Sequence, residues 1–175
     1  MPVMKMTGNF FLIGLPGAGK TTLGKLLAQK VGYTFVDADQ YLSERTGVTI
    51  PTIFELEGEA GFRAREAAVI DELTQQNRIV LATGGGAVLN LHNRMHLRQR
   101  GQVVYLHAGP QVLHERTRSD RNRPLLQVED PVQKLHELYA VRDPFYREIA
   151  DYIIEVEGQS CVQAAHSLFS ALNLP

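Results

Sequence analysis

The sequence predicts an α/β fold in which a parallel sheet of five strands lies between layers of helices. Short, largely apolar runs at 9–13, 33–36, 78–83, 103–107 and 152–156 have the length and content of buried strands. Stretches with helical spacing separate them, and each is long enough to carry the chain back to a parallel start. Strands and helices alternating in this way imply right-handed crossovers within a single sheet.

The elements follow in order. Residues 9–13 form a continuous apolar run that ends at Gly14. Leu23, Leu26, Leu27 and Val31 then recur at helical spacing over 21–31, and Gly32 supplies the stop. The strand at 33–36 runs into Asp37-Ala38-Asp39. A helical stretch at 40–45, a turn at 47–51 and helices to about 76 come next. The third strand is closed by Gly84-Gly85-Gly86. Helices are expected at 91–100 and at 110–117, the latter opened by Pro110 in its first turn. A polar, arginine-rich loop fills 118–129, and a long helix over 131–150 has an interruption expected near Pro144. Ser160 and Gln163 have the spacing of a capping box at the start of a closing helix over 160–172. With no repeat, linker or low-complexity stretch, one domain over 1–175 is expected.

Composition excludes several classes. The chain has 175 residues, 44% hydrophobic and 21% charged, with a net charge of −1. A protein held to nucleic acid by bulk charge carries a clear excess of Lys and Arg, so no nucleic-acid partner is expected. Cys161 is the only cysteine and cannot form an internal disulfide, which suits a reducing cytosol. No run approaches the ~20 apolar residues of a membrane span. A cytoplasmic enzyme without a membrane partner is expected, and since nothing demands a second copy, a monomer.

The first chemical motif is Gly14-Leu15-Pro16-Gly17-Ala18-Gly19-Lys20-Thr21, which fits the P-loop pattern G-x-x-x-x-G-K-[ST] between a strand and a helix. Its glycines let successive amides point at phosphates, and the following helix aims its positive end at the same anion. Lys20 would reach the β- and γ-phosphates and the Thr21 hydroxyl would ligate Mg²⁺. Gly17, Ala18, Gly19, Lys20, Thr21 and Thr22 are therefore the expected nucleotide cradle. The chain lacks an Asn-Lys-x-Asp guanine-reading motif, which favours ATP.

The acceptor side rests on weaker signals. Asp37 and Asp39 lie just beyond a strand, at the edge where open α/β sheets bind ligands. They read as a solvated turn or as carboxylates that hold a hydroxyl or support Mg²⁺ through water. Arg63 and Glu66 stand at i and i+3, which reads equally as a surface salt bridge or as a guanidinium oriented toward a substrate carboxylate. The glycines at 84–86 permit close approach of backbone to ligand. No acidic residue ends the third strand, so magnesium would lean on Thr21, phosphates, water and Asp37. Arg116, Arg118, Arg121 and Arg123 surround a loop that reads as a charged surface or as a lid over ATP. His92 and His96 have metal spacing at i and i+4, but the pattern supplies no third ligand.

Taken in this order, the P-loop, Asp37-Ala38-Asp39, Phe62-Arg63 with Glu66, Gly84-Gly85-Gly86, Arg123-Pro124-Leu125-Leu126 and Arg142-Asp143-Pro144-Phe145-Tyr146 resemble shikimate kinase. The resemblance covers about 11–159. It implies a three-layer P-loop NTPase fold like that of nucleoside-monophosphate kinases, with a five-stranded parallel sheet flanked by helices and a mobile lid. It implies ATP-dependent phosphorylation of the shikimate 3-hydroxyl, in chorismate and aromatic amino-acid biosynthesis. By that similarity Asp39 holds shikimate hydroxyls and Arg63 and Arg142 clamp its carboxylate. Gly85, flanked by Gly84 and Gly86, touches it through backbone. Asp37 lies nearest the reacting hydroxyl and the metal as a candidate base, Arg123 reaches ATP phosphates from the lid, Arg116 stacks near adenine, and Gln159 sits at the nucleotide's outer edge. The acceptor region spans about 37–65 and the lid about 116–129. Another small-metabolite kinase, of gluconate type, and a nucleotide-dependent binding module are the competing readings.

Overall fold

A computed structural model describes residues 8–118 and 123–175. The strands are β1 (Phe10–Ile13), β2 (Thr34–Asp37), β3 (Ile79–Ala82), β4 (Gln102–His107) and β5 (Tyr152–Glu155). All pair in parallel, in the order β2-β3-β1-β4-β5. The central strand β1 takes its neighbours from two later segments, with Phe11 opposite both Leu81 and Val103. Phe11, Leu12, Ile13, Val80, Leu81, Val103 and Val104 are wholly buried, as expected of strands covered on both faces. Asn9, also wholly buried, earns its place at the foot of β1: its amide donates to the Gln76 carbonyl at 2.6 Å and accepts from the Ile79 amide at 3.1 Å.

The helices are α1 (Lys20–Val31), α2 (Ala38–Thr46), α3 (Ile50–Thr74), α4 (Leu91–Arg100), α5 (Pro110–Thr117), α6 (Pro131–Ile149) and α7 (Cys161–Ala171). Helices α1 and α7 pack together on one side, while α3, α4 and α6 adjoin one another. The Ser160–Gln163 capping box is formed at α7. Thr49 caps α3, whose backbone kinks at Gly58 (φ 72°, ψ −178°).

Several boundaries differ from the sequence reading. Helix α2 begins at Ala38 because Asp37 is its N-cap, its carboxylate accepting from the Gln40 amide at 3.0 Å. Asp39 consequently lies in the first turn of a helix rather than in a turn. The expected interruption at Pro144 does not occur: α6 continues through it. Proline there removes the donor to the Ala140 carbonyl, but buried Arg142, Tyr146 and Ile149 hold the helix on either side. Its neighbour Phe145 carries the Arg94 guanidinium 4.3 Å from its ring centroid. In the arginine-rich loop, Pro124–Leu126 forms a 3₁₀ turn with Leu126 buried. Residues 119–122 of the expected lid, including Arg121, lie outside the described residues.

Candidate active site

The site is built from the carboxyl ends of β1, β2 and β3. The chain leaving β1 wraps into the P-loop, with Gly17 and Gly19 at φ 88° and 99°, a region that other residues rarely adopt. A Cβ on Gly17 would also stand 2.8 Å from the Thr117 methyl of α5. No side chain caps α1 at Gly19, so its first amides are left for an anion. A cavity of about 470 Å³ lies over this loop, lined by 16–23 and closed on its far side by Arg116, Val156, Gln159, Ser160, Cys161 and Ala164.

Lys20 bends back over the loop, donating to the Gly14 carbonyl at 2.5 Å and the Leu15 carbonyl at 3.0 Å. Burial pushes its ammonium down to about 7, and Arg123 and Arg142 act in the same direction against Asp39 and Asp37. Phosphates favour the charged form, so nucleotide binding above pH 7 must take up a proton. Affinity for ADP is expected to fall with rising pH, by up to about tenfold per unit above 7. Calorimetry from pH 6 to 9 in buffers of different ionisation enthalpy reads both quantities. A wild-type profile parallel to that of Lys20→Met would contradict the expectation.

The Thr21 hydroxyl donates to Asp37 Oδ2 at 2.9 Å, while Asp37 Oδ1 caps α2. Both oxygens of Asp37 are thus engaged on the nucleotide side. Arg116 donates to the Gly17 carbonyl at 3.1 Å, which places it against the cradle. The Gln159 side chain lines the larger cavity but holds its own loop, donating to the Glu155 carbonyl at 2.7 Å and accepting from Ser167 at 3.0 Å.

A second, smaller cavity of about 60 Å³ adjoins the first and shares Pro16, Asp39, Gly84, Gly85 and Arg123 with it. Asp39 faces it and Asp37 does not. Burial first, and then the neighbouring Asp37, raise the Asp39 carboxyl above its ordinary range. Arg123 approaches Asp39 at 3.5 Å, on the boundary between the two cavities.

The Arg63–Glu66 pair is no ordinary surface salt bridge. Arg63 donates to Glu66 Oε1 at 2.9 Å, and the Glu66 side chain is 3% exposed. Burial pushes Glu66 up to about 7, with Arg63 opposing. Glu66 Oε2 and Arg63 Nε are buried without a hydrogen-bond partner among the described residues, as in a pocket built to meet a polar ligand. Arg142, buried on α6, lines the same cavity. The glycines between these groups leave no room for a side chain. A Cβ on Gly86 would lie 2.3 Å from the Arg63 guanidinium, and one on Gly84 2.9 Å from both Asp39 and Glu66.

Sequence reasoning did not select Tyr146 as a site residue, nor the apolar walls at Val156, Ala164, Phe54 and Leu126. The walls have the spacing of ordinary core, so no local signal marks them, while Tyr146 stands in the 142–146 stretch of the resemblance without a role attached. His92 and His96 stay apart from the site, with His96 Nδ1 3.7 Å from Asp71. Among the described residues no group of three or more His, Cys, Asp or Glu converges as a metal cage.

A phosphate cradle that shares a wall with a small pocket of two arginines and a carboxylate defines a P-loop phosphotransferase acting on a small anionic acceptor. A sequence model of the family "Shikimate kinase" matches residues 16–173, and the chain belongs to the shikimate kinase family. A shikimate kinase from Thiobacillus denitrificans is 57% identical over 171 residues, spanning 98% of this chain and 93% of that protein. The solved shikimate kinase from Acinetobacter baumannii, in complex with shikimate, superposes with a TM-score of 0.93 at 48% identity, covering 97% of this chain and 94% of that one. A gluconokinase from Sinorhizobium meliloti 1021 shares the fold alone, with a TM-score of 0.65 at 19% identity over 97% and 93% of the two chains. The activity is accordingly that of a shikimate kinase, a phosphotransferase using ATP, and the gluconate-type alternative is set aside. Among the described residues no helix is long and apolar enough to cross a membrane.

Proposed function

We propose that one domain transfers the γ-phosphoryl group of ATP to the 3-hydroxyl of shikimate, with 37–65 binding the acceptor and 116–129 acting as the lid. The observation that carries this assignment is the convergence of Asp39, Arg63, Arg142 and the Gly84–Gly86 turn on one small cavity beside the P-loop. Shikimate is a small ring with one carboxylate and three hydroxyls. Arg63, braced by Glu66, and Arg142 meet the carboxylate, the Gly85 backbone approaches it, and Asp39 accepts from the hydroxyls.

Lys20 and the first amides of α1 hold the β- and γ-phosphates, with Arg116 on the adenine side and Gln159 at the outer edge. The acceptor oxygen bonds to the γ-phosphorus as the bond to the bridging β–γ oxygen breaks and ADP departs. Asp39 takes the hydroxyl proton, and its raised pKa suits that task better than an ordinary carboxylate. Arg123 leaves Asp39 for the transferring group, where negative charge must be balanced and water kept out.

The hydroxyl of Thr21 and the carboxylate of Asp37, side by side at the cradle, are hard oxygen donors suited to Mg²⁺ completed by phosphate oxygens and water. When bound, magnesium would neutralise charge on the β- and γ-phosphates. Asp37 positions Thr21 and the start of α2 whether or not the ion is present.

ADP release should depend on shikimate and stop on chelation of divalent ions, and Thr21→Ala should raise the magnesium concentration needed. Release that is independent of shikimate, or faster with gluconate, would overturn the acceptor assignment.

A further inference from the structure

We propose that Tyr146 is a positioning residue for the acceptor carboxylate, its single hydroxyl setting both Arg142 and the Gly85–Gly86 peptide. This rests on the assignment of Arg142 and Gly85 to the acceptor made above. Tyr146 follows Arg142 by four residues, so both project from one face of α6. Its side chain is 1% exposed, and its hydroxyl donates to the Gly85 carbonyl at 2.5 Å. The Arg142 guanidinium lies beside the same hydroxyl. A Cβ added at Gly85 would meet Arg142 Nη1 at 3.2 Å, so turn and guanidinium are in near contact.

The geometry of the peptide gives this contact its consequence. A trans peptide holds its C=O and N–H on opposite sides, so drawing the Gly85 carbonyl toward α6 turns the Gly86 N–H away from it. Neither the Gly85 nor the Gly86 amide has an acceptor among the described residues. With three glycines in succession the turn has no side chain to fix its peptide planes. The hydroxyl of Tyr146 supplies that constraint from outside the turn. It also fixes the head of Arg142, so donors from β3 and from α6 keep one relative geometry toward a bound carboxylate.

The ring itself is held by other means. It packs on Tyr105 with centroids 4.8 Å apart, and Tyr105 is tied to Asp143 at 2.7 Å. Tyr146→Phe therefore removes the hydroxyl and leaves the packing.

The KM for shikimate is expected to rise about tenfold in Tyr146→Phe, the loss of roughly one hydrogen bond's worth of positioning. The KM for ATP and kcat should stay within about twofold of wild type, because the nucleotide cradle and Asp39 are untouched. In an Arg142→Ala background the same change should add less than it does in wild type, because only its action on the Gly85–Gly86 peptide remains. KM does not depend on how much enzyme is folded, so partial loss of folding leaves this readout intact. An unchanged shikimate KM, a fall in kcat alone, or full additivity with Arg142→Ala would overturn the proposal. Arg142→Ala assayed alone separates that failure from a failure of the acceptor assignment, which would show as a shikimate KM unchanged by the loss of Arg142 and would take the proposal with it.

Discussion

Asp39→Asn is expected to lower shikimate-dependent ADP release by about 10³ or more while ADP binding stays nearly intact. The substitution conserves shape, so α2 and its Asp37 cap should survive it. What disappears is the negative charge between the cavities. An amide can still accept one hydrogen bond from a hydroxyl, but it cannot take the proton, and it no longer attracts Arg123 at 3.5 Å. The charge of Lys20 also loses one of its two supporting carboxylates, which should weaken nucleotide binding slightly and most visibly at high pH. A coupled assay for ADP, with calorimetric titration of ADP as the control, reads both effects. Turnover above a tenth of wild type would remove Asp39 from the role assigned to it.

Arg123→Ala should reduce kcat by about 10³, within the range that a charge-balancing arginine supplies in phosphoryl transfer. The guanidinium is 34% exposed and sits at the seam between the cavities, so its removal should cost little stability. Affinity for shikimate should hold or improve, since Asp39 is released from its ion pair. Arg123→Lys should restore only part of the rate, because a point charge does not reproduce the planar fork. A kcat loss below about tenfold would place the charge balance elsewhere, with Lys20 and Arg116 as the remaining cations on the cradle among the described residues. Both substitutions should fail at the transfer step, and shikimate affinity separates them: it should weaken in Asp39→Asn and hold or improve in Arg123→Ala.

Much of this was legible in the sequence for definite reasons. The strands are short and buried on both faces, so their apolar runs are unbroken. The P-loop is a local motif whose neighbours confirm it. Asp39 and Arg63 could be selected by position and resemblance, but their meaning depended on burial, which sequence spacing does not encode. Arg63–Glu66 is the clearest instance, since the same i, i+3 pair is trivial on a surface and costly at 3% exposure. Asp37 was harder still. Its two oxygens are taken by Thr21 and by the start of α2, and only the backbone path of the chain after β2 makes that so. Tyr146 gave no signal of its own, because a tyrosine four residues from a buried arginine looks like helix packing until the glycine turn of a distant strand is brought against it.

The position of β1 has a consequence for how the protein comes into being. The strand that ends in the phosphate cradle precedes both of its edge partners, 79–82 and 102–107, in the chain. A growing chain therefore carries its P-loop without either flanking strand until 79–82 and then 102–107 have followed it. Arg142, which lines the smaller cavity, arrives later again. Products that stop before 102–107 would hold the whole P-loop sequence without the sheet that positions it.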